Sequence, residues 1–323
     1  MNFYPLLSII LTLFILMVCG FACRKFSIIN NASSKGLSQL IISIGQPAMI
    51  IAALANAEYS EENLTIAWQV TLISFAMHTL LALMAFGICR LLKKNPDQIK
   101  IFEFSLVFGN CGFIGFPILD SILEPIMGKG AGSFMGAFYV ISFHLFLWTW
   151  GIIILARGRE DIRMTPKKAF FNYGTIPCAI GVALYLFKPV FDVTAEFDFL
   201  GKSLDYLGNL CTPISVLITG ALLATLPLKK IFTNSRIYLH SAIKLLALPL
   251  IFCVLAKLCG LDHTYILMIT AMAGVPSAAT ITMLAELYEI EPAYASQTVG
   301  VSSVLSTATL PLVMLFANWI CTI

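Results

Sequence analysis

The chain has 323 residues, 59% of them hydrophobic and 11% charged, with a net charge of +3 and a mean hydropathy of +0.90. Soluble domains carry about 25% charged residues, so the composition excludes a water-soluble enzyme or a nucleic-acid-binding domain. It indicates an all-α integral membrane protein whose main surroundings are the lipid bilayer.

Each crossing needs roughly 20 apolar residues, and ten such stretches follow one another: residues 3–22, 36–55, 64–89, 101–126, 133–156, 169–187, 203–225, 237–257, 264–286 and 293–321. The first follows only "MNFY" and lacks the basic region and small-residue cleavage site of a secretory signal, so a retained helix is expected. The second carries "IGQPAMIIAALA" around Pro47, and the third carries His78. The fourth contains "GNCGFIGFP", Gly109 to Pro117, poor helix material in the middle of an apolar run. The fifth holds His144, Trp148 and Trp150, and the seventh holds "LCTPISVLITGALLA" around Pro213. Lys244 lies within the eighth, "GVP" at Gly274–Pro276 interrupts the ninth, and Trp319 lies in the tenth. The nine cysteines are scattered, without CxxC pairs, and read as small packing residues.

Fifteen of the twenty Lys and Arg residues fall in the loops after spans 1, 3, 5 and 7, which the positive-inside rule makes cytoplasmic. Both termini are therefore expected outside the cell membrane. The acidic Glu286, Glu289 and Glu291 would be cytoplasmic too, which weighs little in this rule.

Ten spans divide into two five-span halves of opposite orientation, residues 1–157 and 158–323. Pro47 and Pro213 are 166 residues apart, and "GFP" and "GVP" are 159 apart, a seven-residue drop attributed to the longer loop "LLKKNPDQIK". Broken helices in corresponding spans of an inverted repeat point to a binding site. Half-helices are expected to begin after each proline, at Ile118 and Ser277. Their N-termini would converge, each with about half a positive charge and free N–H donors, favouring an anion. The Asn110 amide adds a donor for a carboxylate.

The stretches "FGNCGFIGFPIL", "CTPISVLITGALLA", "IKLLALPLIF" and "AMAGVPSAATITMLAELYEIEP" resemble the corresponding motifs of the auxin efflux carrier family, which includes plant auxin carriers and bacterial malonate and malate transporters. The resemblance implies a ten-helix fold with crossed, broken helices 4 and 9, shared with the bile-acid symporters. It also implies a homodimer, a scaffold from spans 1, 2, 6 and 7, and an elevator-like moving unit from spans 3–5 and 8–10. By motif position Asn110 matches the asparagine of the crossing and Pro276 the proline of the partner helix. His144 stands where relatives often have asparagine, and "FNYGTIP" lacks the proline that commonly follows its asparagine.

The expected substrate-binding set is Asn110, Cys111, Gly112, Gly115, Pro117, His144, Gly274, Pro276 and Ser277. Lys244, about 12 Å into the membrane at 1.5 Å per residue beyond Arg236, either stands behind the crossing like a bound cation, attracts substrate, or pairs with backbone carbonyls. Glu103 lies on the same helical face as Asn110 and either takes up a proton or, beside Lys100, is a solvated interfacial carboxylate. His144 and His78 are site residues or bridges between helices. Ser277, Thr280 and Thr282 contact substrate or, by default, cap the half-helix.

These features predict a secondary transporter of a small organic anion, such as malate, malonate or an auxin-like acid, with H+ or Na+ as candidate coupling ion and no cofactor or bound metal. The rival classes are a sodium-coupled symporter of the bile-acid type and a non-transporting sensor. Neither a GxxxxGK[ST] loop for ATP nor an HExxH or GxSG enzyme motif is present.

Overall fold

The computed structural model describes residues 4–92, 95–159, 171–225 and 234–322. Lys93, Lys94, Arg163, Lys167, Lys168, Lys229 and Lys230 of the basic loops, and the expected start of the sixth span, lie outside the described residues.

The described residues are helical throughout, with no strand longer than a single bridge. Seven helices are long and apolar enough to cross a membrane: α1 (Leu6–Lys25), α2 (Asn31–Ala55), α3 (Glu61–Leu91), α6 (Ala131–Ala156), α9 (Asp198–Leu223), α10 (Ser235–Leu258) and α13 (Pro292–Thr322). The fourth expected span is divided into α4 (Pro96–Val107) and α5, a π-turn over Cys111–Gly115 that continues as Phe116–Met127. The ninth is divided into α11 (His263–Gly274) and α12 (Thr280–Leu287). Between them stand α7 (Thr175–Phe187) and the single turn α8 (Val193–Glu196).

Local chemistry sets the helix starts. Asn30, Ser60, Asn95 and Asn234 open α2, α3, α4 and α10, and each side chain accepts an N–H of the first turn. Proline inside the spans is accommodated differently. Pro47, Pro117 and Pro249 each sit two residues past a π-turn, at Ile41–Gly45, Cys111–Gly115 and Ile243–Ala247. A proline ring displaces the carbonyl four residues back. The widened turn makes room for it, with the longer bonds Gln46 N–H to Ile41 O and Leu248 N–H to Ile243 O. The carbonyl of Phe113, which Pro117 cannot serve, accepts from Thr212 Oγ1 of α9 at 3.0 Å.

The divided helices therefore break elsewhere than the prolines suggested. The first half-helix resumes at Cys111 rather than Ile118, and the second at Thr280 rather than Ser277. Pro117 lies inside resumed helix, whereas Pro276 lies in the break itself. Gly115–Pro117 and Gly274–Pro276 are thus not equivalent backbone. The two helices that lead into the breaks, α4 and α11, are of equal length and are displaced by 167 residues at both ends. Gly109 bridges Ser277, 168 residues on, and a Cβ at Gly45 would stand 2.8 Å from Cys211 Sγ, 166 residues on.

Backbone approach is closest between α1 and α9, where a Cβ on Gly20 would lie 2.0 Å from Leu217 O and one on Gly220 1.9 Å from Met17 O. Small residues let membrane helices meet at van der Waals distance where no hydrophobic force drives them together. Gly220→Val replaces that contact with a backbone collision, and is expected to destabilise the fold by about 1–3 kcal/mol or more. The check is the unfolding temperature in detergent, with Gly87→Val, which meets nothing within 4 Å, as the unaffected control.

Candidate functional site

The breaks in the two divided helices meet. Phe108–Asn110 and Pro276–Ala278 run antiparallel and pair through their main chains, Asn110 N–H to Pro276 O at 2.7 Å and Ala278 N–H to Phe108 O at 3.0 Å. Ser277 donates its hydroxyl to Ser105 O at 3.3 Å and its N–H to Ser302 Oγ of α13 at 3.2 Å. It ties the two breaks together rather than capping α12, which corrects the default expected for it.

Lys244 closes the other side. Its side chain is buried, and Nζ donates to Leu106 O, in the last turn of α4, at 3.2 Å. A helix C-terminus carries about half a negative charge. The ammonium therefore lies where a cation is best accommodated, and it lies against the crossing: a Cβ on Gly109 would be 3.2 Å from Nζ.

Asn110 is 5% exposed, its carbonyl accepts from Ile114 and Gly115 N–H at 3.2 and 3.1 Å, and its side-chain amide has no partner among the described residues. Phe113 from the first turn of α5 and Ala279, Thr280 and Met283 from the start of α12 line one cavity of about 30 Å³ with Ser38, Ile41 and Ser215. That is room for about two water molecules.

The remaining predicted residues separate. Cys111 and Gly112 lie in the first turn of α5; Cys111 donates its N–H to Gly109 O at 2.8 Å. Gly115 packs on Met272, and Pro117 lies farther along α5. Gly274 ends α11 against Leu310 and Pro249. His144 is buried in α6, with Nε2 3.2 Å from Gln46 Nε2 of α2. His78 bridges helices, Nδ1 meeting Ser74 O at 2.8 Å and Ser142 Oγ at 3.1 Å. The buried Thr282 hydroxyl has no hydrogen-bond partner. Among the described residues no three His, Cys, Asp or Glu side chains are placed to hold a metal ion.

Glu103 is not solvated and not paired with Lys100, which bonds Asp97 instead. Its side chain is fully buried and takes a bidentate pair from Arg157 at 2.5 and 2.7 Å, while Arg157 also lies over the Phe86 ring. The sequence placed Arg157 in a basic loop; only the fold brings it back over α4. Gln46, Arg157, Thr212 and Ser302 were all missed as contributors, Gln46 despite its place inside the quoted "IGQP".

Residues 5–314 match the family described as Membrane transport protein. The chain belongs to that family, the one of the auxin efflux carriers. This membrane transport protein is 22% identical to an uncharacterized transporter of Methanocaldococcus jannaschii, over 95% of this chain and 97% of the relative. It is 20% identical to an uncharacterized transporter of Methanothermobacter thermautotrophicus, over 94% and 95% of the two chains. Neither relative's description names a substrate. The family makes the protein a multi-pass membrane transporter, in keeping with its seven long apolar helices.

Removing one partner of a buried ion pair leaves an uncompensated charge, typically at a cost of 3–5 kcal/mol. Glu103→Gln is expected to lose about that amount, less what the partly exposed Arg157 recovers from water. The measurement is thermal unfolding in detergent, where the double variant Glu103→Gln/Arg157→Gln should be more stable than the single one.

Proposed function

We propose that the protein is a secondary transporter of a small organic anion, a carboxylate, bound at the meeting of the two broken helices. The observation that carries this is the buried Asn110, its side-chain amide without a partner among the described residues, immediately before the first turn of α5, whose Phe113 lines a cavity with Ala279 and Thr280 at the start of α12. Two helix N-termini supply about one positive charge in total, with first-turn N–H donors. Such a site holds an anion without a cation of its own.

Lys244 supports the same reading from behind. In a sodium-coupled symporter the carbonyls at a crossing are free to hold a metal ion; here an ammonium already occupies Leu106 O. Its charge makes the region electropositive toward the anion, so the coupling ion, where one is used, is H+ rather than Na+.

The architecture for this function is ten spans in two inverted halves, 1–157 and 158–323, with both termini outside the plasma membrane. Supporting the inversion, two elements near the middle, Gly109–Ser277 and Gly45–Cys211, touch their own counterparts about 167 residues away, as residues on a pseudo-two-fold axis do. Supporting a division into scaffold and moving unit, α1 packs tightest on α9 and α2 on α7, while α3 packs on α6 and α10 on α11. The scaffold is then spans 1, 2, 6 and 7, the moving unit spans 3–5 and 8–10, and transport an elevator-like slide of one past the other in a homodimer.

The test is uptake of labelled malonate and malate into proteoliposomes, with and without an imposed pH gradient, comparing the unsubstituted protein with Asn110→Ala. The expected result is saturable uptake, driven by the gradient and reduced at least ten-fold in the variant. Uptake equal in the two proteins would remove the site from the crossing.

A further inference from the structure

Gln46 comes to this site from the other side. It precedes Pro47 in α2, is half-buried, and sets Nε2 3.2 Å from His144 Nε2. The His144 ring packs against the bare backbone of Gly174, where a Cβ would stand 2.2 Å from Nδ1, and Nδ1 is buried with no hydrogen-bond partner among the described residues. A Cβ on Gly112 would be 3.7 Å from Gln46 Nε2. The Gln46 amide therefore lies over the bare backbone of the first turn of α5.

That backbone has donors to spare. The helical acceptors for the Gly112 and Phe113 N–H groups would be the carbonyls of Phe108 and Gly109, which instead accept from Ala278 and Cys111. The crossing engages Phe108 O and the local turn engages Gly109 O, and the Gly112 and Phe113 N–H groups have no backbone acceptor among the described residues. Beside Gly112, the α2 side chains within 4 Å of a Cβ are those of Gln46 and Met49, and of the two only Gln46 is polar. Of the charged groups near the crossing, Lys244 is committed to Leu106 O and Glu103 to Arg157.

We propose that Gln46 is a specificity-determining residue: its amide hydrogen-bonds a neutral polar group, a hydroxyl or a protonated carboxyl, of the small organic anion whose carboxylate rests on the first-turn N–H groups of α5. An amide carries both a donor and an acceptor, which matches a hydroxyl in either sense. His144 is the side chain that partners the Gln46 amide. The Gln46 amide is a neutral hydrogen-bonding group, so it discriminates by polarity rather than charge. This proposal rests on the anion-transport reading.

The experiment measures proteoliposome uptake of two pairs of labelled acids differing only by a hydroxyl, lactate with propionate and malate with succinate. The unsubstituted protein is expected to show, for at least one pair, a KM about ten-fold lower for the hydroxy acid, the size of effect one hydrogen bond gives. Gln46→Leu should bring that ratio close to one by weakening the hydroxy acid alone. Gln46→Met, unbranched and close in length, runs the same comparison and separates a lost amide from a disturbed helix. A ratio unchanged in both variants, or a ratio of one in the unsubstituted protein, overturns this proposal and leaves the transport reading standing. Absence of uptake of all four acids by the unsubstituted protein overturns both.

Discussion

Inside a bilayer a peptide group has no water to turn to, and each one left unpaired costs several kcal/mol. That constraint governs the middle of this protein. Two helices unwind there, over Phe108–Asn110 and Val275–Ala279, and the freed groups are paired chiefly with each other: Asn110 with Pro276, Ala278 with Phe108, Ser277 with Ser105 and Ser302. Neither break is tenable alone. The bridge between Gly109 and Ser277 is short, and the rest of the site is arranged by it.

From that pairing follows a sorting of charge. The C-terminal end of α4 comes to rest against Lys244, and the N-terminal first turn of α5 is left with donors whose acceptors have been taken. Positive charge held by a side chain meets the end of α4, and partial positive charge carried by backbone lies at the start of α5. The proline two residues past the π-turn of α5 adds a further consequence. By excluding one backbone bond it exposes Phe113 O, and Thr212 of α9 supplies the missing donor. A polar contact thereby joins a broken helix to a neighbour that has no part in the crossing.

Much of this was legible in the sequence because hydropathy is a local property. The long spans emerge from twenty-residue windows, and glycine-rich "GNCGFIGFP" marks a helix that cannot continue unaided. The place of the break was not legible. Pro117 is the strongest local breaker, yet a π-turn absorbs it, while Phe108 and Gly109 unwind because Ser277 is there to receive them. Pro117 and Pro276, matched by their local motifs, stand in different backbone, one in resumed helix and one in the break. Glu103 was misread as solvated for a similar reason: its partner Arg157 is 54 residues away, and nothing local distinguishes an arginine that folds back from one in a loop. Gln46 gained no notice because its meaning depends on His144, 98 residues on. Lys244 was the opposite case, since a charge that deep announces itself from depth alone.

On the proposed reading, the Lys244 ammonium, held on Leu106 O against the crossing, stands where a metal cation would otherwise balance the anion, so that the anion needs no sodium to accompany it. The most direct measurement is initial uptake of a transported acid with every sodium ion replaced by N-methylglucamine on both sides of the membrane. The account predicts a rate within about two-fold of that in sodium. A rate that collapses without sodium and returns saturably as sodium is restored would contradict it, placing a metal cation where Lys244 is held to suffice.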